Sequence, residues 1–234
     1  MNPIIIIPTY NEADNVEILV EKIFENLNNY NFSILFVDDS SQDGTREIIE
    51  NLKEKHNNIH LLNRAGKLGL ASAYIDGIKF SKEKGFNAFI EMDADFSHNP
   101  KYLPQMLELL KENDVVIGSR NIKGGSVVGW GFLRNFISKG GSLYSRIILN
   151  CPIKDLTGGF NGWTLRAIEE INLDKIISKG YSFQIEMKYR AHKKHLKIKE
   201  FPIIFEDRKF GQSKMSKKIF FEAMLNVFKI RFFK

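Results

Sequence analysis

Residues 3–27 read PIIIIPTYNEADNVEILVEKIFENL, and a change of period inside this stretch decides the fold class. Four consecutive isoleucines, Ile4 to Ile7, leave no polar face, as in a strand covered on both sides of a parallel sheet. Pro8 ends the run. From Asp14 onward Val16, Leu19, Val20, Ile23, Phe24 and Leu27 fall on one face of a helix, and Asp14 with Glu17 has the spacing of a capping box. A buried strand, a polar turn and an amphipathic helix make the first half of a βαβ unit.

The same alternation continues outward from this unit. Further strands are expected at 32–37, 59–62, 86–92 and 114–119, and helices at 45–51, 70–80 and 100–112. Repeated βα units with short loops predict an α/β protein with a doubly wound, mainly parallel sheet. Past residue 119 the pattern changes. Gly124, Gly125, Gly129 and Gly131 predict a flexible loop, followed by a helix at 132–149, a turn at 155–159 and a strand at 161–165. A helix at 181–195, a strand at 197–205 and a last helix at 216–233 complete the chain. With no repeat and no linker, the expectation is one domain over 1–215 carrying an amphipathic helix over 216–234.

The last helix is apolar and basic. Ile219, Phe220, Ala223, Met224, Val227 and Phe228 form a stripe that would pack on the domain, while Phe221, Leu225, Ile230 and Phe232 lie off it. Residues 188–234 hold 14 Lys/Arg against 4 Asp/Glu, whereas the first 187 hold 20 against 24. The C-terminal part is therefore expected to face something anionic. Its charge is mostly Lys beside Phe-rich apolar residues, which suits a bilayer surface better than nucleic acid, where Arg and aromatic platforms would be expected. No stretch approaches the roughly 18–20 apolar residues of a membrane span, and the Ile run is too short for a signal peptide. The single cysteine, Cys151, allows no disulfide framework, so a cytoplasmic protein, peripheral on the cytosolic face of a membrane, is expected.

In doubly wound sheets ligands bind beyond the carboxyl ends of the strands, and acids collect there in this chain. The first strand runs into Pro8-Thr9-Tyr10-Asn11-Glu12, the second into Asp38-Asp39, the fourth into Asp93-Ala94-Asp95. Carboxylates brought that close repel one another unless a cation compensates. Asp93 and Asp95 offer hard oxygen ligands suited to Mg²⁺ or Mn²⁺ holding a diphosphate. One cysteine and no paired histidines at this rim argue against zinc. No Gly-x-Gly-x-x-Gly follows a strand and no P-loop string occurs, which disfavours dinucleotide oxidoreductases and P-loop NTPases. His98 is read as orienting the loop after Asp95, not as a base. Gly66-Lys67-Leu68-Gly69 opens a helix and is read as either a phosphate-approaching loop or a plain turn.

Eight strings, in order along nearly the whole chain, carry a resemblance: PTYNEA (8–13), VDDSSQDGT (37–45), KLGLASAY (67–74), EMDADFSHNP (91–100), GSR (118–120), DLTGGF (155–160), SKGYSFQIEM (178–187) and EDRKFGQSK (206–214). The chain resembles the dolichol-phosphate (polyprenol-phosphate) mannose synthases of glycosyltransferase family 2, which have the GT-A fold. The resemblance implies transfer of mannose from GDP-mannose to a dolichyl or polyprenyl phosphate, metal-dependent and inverting. It implies that Pro8, Tyr10, Glu12, Val37 and Asp39 hold the base and ribose. Asp93, Ala94 and Asp95 would contact donor and metal; Arg120, Arg208 and Lys214 would contact diphosphate or acceptor phosphate. Arg134 and Ser138 would lie near the acceptor. The chain departs from the family at Asn121, where an aromatic often follows GSR, and in having no C-terminal spans; members without them are held at the membrane by a membrane-embedded partner. A sister enzyme using UDP-glucose or another nucleotide sugar with the same lipid is the alternative, and a non-catalytic nucleotide- or nucleic-acid-binding module a remote one.

Overall fold

A computed structural model describes residues 1–178, 180, 182–207 and 217–232, and gives backbone alone for 132–137 and 217–223. A seven-stranded sheet runs through its centre. Its strands are β1 (Pro3–Thr9), β2 (Ser33–Asp38), β3 (Ile59–Asn63), β4 (Ala88–Glu91), β5 (Val115–Ser119), β7 (Asn161–Thr164) and β8 (Ile198–Pro202), in the order β3-β2-β1-β4-β7-β5-β8. Every pairing in it is parallel except those of β7, which runs antiparallel to both β4 and β5. The isoleucine run divides between two cores. Ile5 and Ile7 pack with Val16, Leu19 and Leu103, from α1 (Ala13–Asn26) and α4 (Leu103–Leu110), whereas Ile4 and Ile6 pack with Tyr74 and Ile78, from α3 (Leu70–Glu83). Helix α2 (Thr45–Lys55) packs beside α1 through Ile49 and Leu52. The expected doubly wound, mainly parallel sheet is therefore present.

Local expectations were refined in four places. Helix α1 starts one residue early, with Glu12 at its N-cap and no side-chain capping bond, so Asp14 and Glu17 form no capping box. The Glu12 carboxylate instead accepts from Asn15 Nδ2 at 2.7 Å. The stretch expected as a flexible glycine loop contains β6 (Ser126–Val128), which pairs in parallel with β9 (Ile204–Glu206) as a separate ribbon. The single strand expected over 197–205 is thus two, parted after Pro202, which has no N–H to continue a ladder; Ile203 N bonds Ser119 O at 3.1 Å instead. Finally, α6 (Leu165–Ile171) was not foreseen at all.

Helices α5 (Phe132–Leu149), α7 (Ser182–Lys193) and α8 (Lys217–Phe232) complete the second layer. The face α8 buries differs from the expected stripe. Val227 and Ile230 enter the core, while Phe228, assigned to the packing stripe, is 42% exposed, with Leu225 at 63% and Phe232 at 66%. Tyr144 of α5 fixes this register: its hydroxyl donates to Met224 O at 3.2 Å and its ring meets Phe228 edge-on at 6.1 Å. Arg231 donates to the Tyr189 hydroxyl of α7 at 3.0 Å. No described helix is long and apolar enough to cross a membrane.

Candidate active site

Strands β1, β2 and β4 are neighbours and parallel, so their carboxyl ends share one edge of the sheet. Just past each strand the chain takes a left-handed residue: Asn11 (φ 58°), Ser40 (φ 59°) and Phe96 (φ 62°). Asn adopts this conformation readily, but for Phe it costs on the order of 1–2 kcal/mol, a strain of the kind found at functional rims.

The first two ends are tied together by Asp38, which is buried. It accepts from Thr9 Oγ1 at 2.9 Å, from Ser41 N at 2.9 Å and from Ser41 Oγ at 2.6 Å, and Ser41 Oγ in turn accepts from Asn11 N at 2.9 Å. Asp39 points the other way. Arg64 Nη1 reaches its Oδ1 at 2.5 Å and Gly69 N its Oδ2 at 3.0 Å, so the 66–69 turn is drawn onto this carboxylate. Lys67, within that turn, places its ammonium 3.6 Å from the centre of the Tyr10 ring. Pro8, Tyr10, Glu12 and Asp39 thus surround one end of the rim, whereas the Val37 side chain is buried in the core, where a Cβ on Gly77 of α3 would come within 3.0 Å of it.

At the third end, Asp93 Oδ1 accepts from the Tyr74 hydroxyl at 3.0 Å, and Asp95 Oδ1 from Ser97 N at 3.1 Å. Burial and the charge of Asp93 push the Tyr74 hydroxyl well above its usual pKa, so it stays a proton donor to that carboxylate. Ala94 between them is buried. His98, read as orienting the loop after Asp95, bonds the backbone at Asp93. Its Nδ1 accepts the Asp93 N–H at 2.9 Å, which leaves the proton on Nε2, and burial keeps the ring neutral. The ring lies between Phe160 at 5.1 Å and Phe205 of the β6–β9 ribbon at 5.7 Å. Among the described residues no three His, Cys, Asp or Glu side chains gather as a closed metal cage. Two carboxylates at an open strand end fit a hard divalent ion that takes its other ligands from phosphate oxygens and water.

Arg120, at the end of β5, is held from beneath. Its Nε and Nη2 donate to the two oxygens of Asp155 at 2.8 and 2.7 Å, Nη2 also to Thr157 Oγ1 at 3.0 Å, and the guanidinium lies 5.3 Å from the Phe205 ring centre. This bidentate pair holds the Asp155 carboxyl far below the ordinary range, against the opposing effect of burial. Arg208 and Lys214 lie outside the described residues, as does the side chain of Arg134; Ser138 sits half-buried on α5.

Reading the sequence did not find Tyr74, Arg64, Asp155 or Lys188 as partners of the site. Tyr74 and Lys188 carried a usable signal: each puts a polar group on the inward face of its helix.

Residues 4–172 match the model of the family described as glycosyl transferase family 2. The chain is 40% identical over 227 residues to an undecaprenyl-phosphate mannosyltransferase of Micrococcus luteus, covering 97% of this chain and 93% of that protein. It is 37% identical over 226 residues to a polyprenol monophosphomannose synthase of Mycolicibacterium smegmatis, covering 96% and 84%. Among solved structures it is similar to glucosyl-3-phosphoglycerate synthase from Mycobacterium tuberculosis in complex with Mn²⁺, UDP-glucose and phosphoglyceric acid, with a TM-score of 0.67, 13% identity and coverage of 98% and 79%. A mannosyltransferase from Pyrobaculum calidifontis in complex with GDP-mannose and Mn²⁺ gives a TM-score of 0.58 at 14% identity, covering 97% and 69%. At these identities the two structures speak for the fold alone.

Proposed function

The chain belongs to glycosyl transferase family 2, and on that footing we propose that it moves mannose from GDP-mannose to a polyprenyl or dolichyl phosphate, releasing GDP. The observation that carries the reading is the near full-length identity to two enzymes named for mannosyl transfer to polyprenyl phosphate. The rim supports it: neighbouring strand ends gather acids at one edge, and Asp93 and Asp95 offer hard oxygen ligands there.

In this reading Pro8, Tyr10, Glu12, Val37 (through its backbone) and Asp39 hold the base and ribose. Asp93 and Asp95 hold Mg²⁺ or Mn²⁺, which when bound supplies Lewis-acid stabilisation of the leaving diphosphate. Arg120, braced by Asp155, offsets the charge of two phosphorylated substrates together with Arg208 and Lys214, while Arg134 and Ser138 serve the acceptor. A phosphate monoester has a second pKa of about 6, so the acceptor oxygen is already anionic near neutral pH and needs no general base. That oxygen attacks the anomeric carbon as the bond to GDP breaks, the electron pair leaves with GDP, and the anomeric centre inverts. The chain's task is to place the two reactants and stabilise the leaving group.

The acceptor is a lipid, and α8 offers a means of reaching it. Leu225, Phe228 and Phe232 are exposed on it, and Leu143 and Ile147 are exposed one turn apart on the adjoining α5. Apolar side chains with flanking Lys and Arg are what an interfacial helix requires. We assign this surface to the cytosolic face of a membrane, directly or through a membrane-embedded partner.

Incubation with labelled GDP-mannose, Mn²⁺ or Mg²⁺ and a polyprenyl phosphate, followed by solvent extraction, tests the reaction. Label in the lipid phase is expected. Its absence, or label only from UDP-glucose, would refute the donor assignment.

A further inference from the structure

Behind the rim lies a buried polar cluster, and the transfer chemistry gives its lysine no role. Glu91 on β4, Asp155, Arg120 and Lys188 on α7 are all withdrawn from solvent, and Lys188 is 0% exposed. The Lys188 ammonium donates to the carbonyl oxygens of Asp155 at 2.9 Å and of Gly158 at 2.7 Å, on either side of one turn. The other ties of that turn run toward the rim. The Asp155 carboxylate grips Arg120 and accepts from Gly158 N at 2.9 Å. A Cβ added at Gly159 would lie 3.4 Å from the His98 ring and 4.0 Å from Asp93 Oδ2, so the turn rests against the Asp93 loop. Gln184, one helical turn before Lys188, accepts from Asn161 Nδ2 at 2.8 Å, and the same nitrogen donates to Glu91 Oε2 at 2.9 Å and to Gly158 O at 3.3 Å. Helix α7 thus holds both ends of the turn from within the core.

Burying an ammonium is costly, and an apolar side chain of similar volume is often neutral or better for stability. Stability alone therefore gives no reason for a lysine at this point; two fixed backbone carbonyls do. We propose that Lys188 is a positioning residue, whose ammonium sets the turn over 155–159 so that Asp155 presents Arg120 and Gly159 abuts Asp93 at one fixed spacing. Its kinetic consequence rests on the glycosyl-transfer reading. Without the ammonium Asp155 O loses its side-chain donor and Gly158 O keeps only the 3.3 Å bond from Asn161, the turn relaxes, and the Arg120 and Asp93 sides of the site lose their relative placement. The loops over 8–12 and 37–41 are tied to one another and to Arg64, so the contacts assigned to base and ribose are spared.

The test compares wild type with Lys188→Met, which keeps volume and removes the donors, and Lys188→Gln, which restores N–H donors. Three quantities are read: kinetics with GDP-mannose and polyprenyl phosphate, GMP affinity by calorimetry, and hydrogen exchange of peptides spanning 4–12 and 153–162. Lys188→Met is expected to lower kcat by about tenfold or more, leaving GMP affinity within about threefold. Exchange should rise in 153–162 and not in 4–12, and Lys188→Gln should recover part of kcat. Wild-type kcat in folded Lys188→Met, GMP affinity falling in step with kcat, or unchanged exchange at 153–162 would each overturn the proposal. So would failure of both variants to fold, which would make Lys188 a scaffold residue of the whole domain. A wild type that transfers nothing from GDP-mannose would defeat the substrate assignment alone, with the exchange measurement still deciding Lys188.

Discussion

Asp95 and Lys188 show two ways in which one side chain can matter here. Asp95 stands at an open strand end, so its removal should spare the fold. Asp95→Asn is expected to lose most activity, on the order of a hundredfold at limiting Mn²⁺, with an unchanged melting temperature. Near-normal turnover at limiting metal would show that Asp95 is no ligand. Lys188 is the reverse case, a charge kept inside. Burial, opposed chiefly by Asp155, draws its pKa down from 10.5 to about 8. Between about 8 and 10.5 the unfolded chain therefore binds more protons at this position than the folded one, so the stability attributable to Lys188 rises with pH across that window and falls as pH drops through 8. Melting temperatures of wild type and Lys188→Gln at pH 7.5 and 9.5 check this: the difference should shift in favour of wild type at the higher pH, and a constant difference would contradict it.

At the scale of elements, how much was legible depended on how far away each partner lies along the chain. The isoleucine run, the α1 stripe and the acids after β1, β2 and β4 are local signals, and they placed the sheet and the rim correctly. Strand β6 is three residues long and acquires its identity only by pairing with β9, so no periodicity of its own announces it. The same holds for Asp155 under Arg120 and for the face of α8, which Tyr144 selects from another helix. Helix α3 carries one further element-scale feature. A Cβ at its Gly77 would lie 2.6 Å from Ile6 Cγ2 and 3.0 Å from Val37 Cγ2, so the helix rests directly on the sheet. Gly77→Ala gains helix propensity of up to about 1 kcal/mol but must push sheet side chains aside, at a cost of about 1–3 kcal/mol. A net loss in urea-measured stability is expected, and a gain would mean that α3 can lift without cost.

For the molecule as a whole, charge and apolar surface have to be weighed together. The acid-rich first part carries the rim, whereas the basic remainder includes α8 with Leu225, Phe228 and Phe232 outward and Val227 and Ile230 inward. Deleting α8 would open the core, so the membrane assignment is better tested by Leu225→Ser, Phe228→Ser and Phe232→Ser combined. Flotation with anionic liposomes is expected for wild type, weakened by salt because each Lys or Arg near the surface contributes about 1 kcal/mol, and largely lost in the triple variant. Equal flotation of both would place the membrane contact elsewhere. The left-handed backbone at the strand ends has a consequence of another kind, for anyone selecting this protein on heat resistance. Phe96 holds a conformation that glycine would adopt without steric cost, yet its ring packs on the core beside α1 and α4, so Phe96→Gly would lose more in packing and chain entropy than it relieves in strain. Variants chosen only for survival at high temperature would therefore keep Phe96, and the strained backbone beside Asp95 would persist through such a selection.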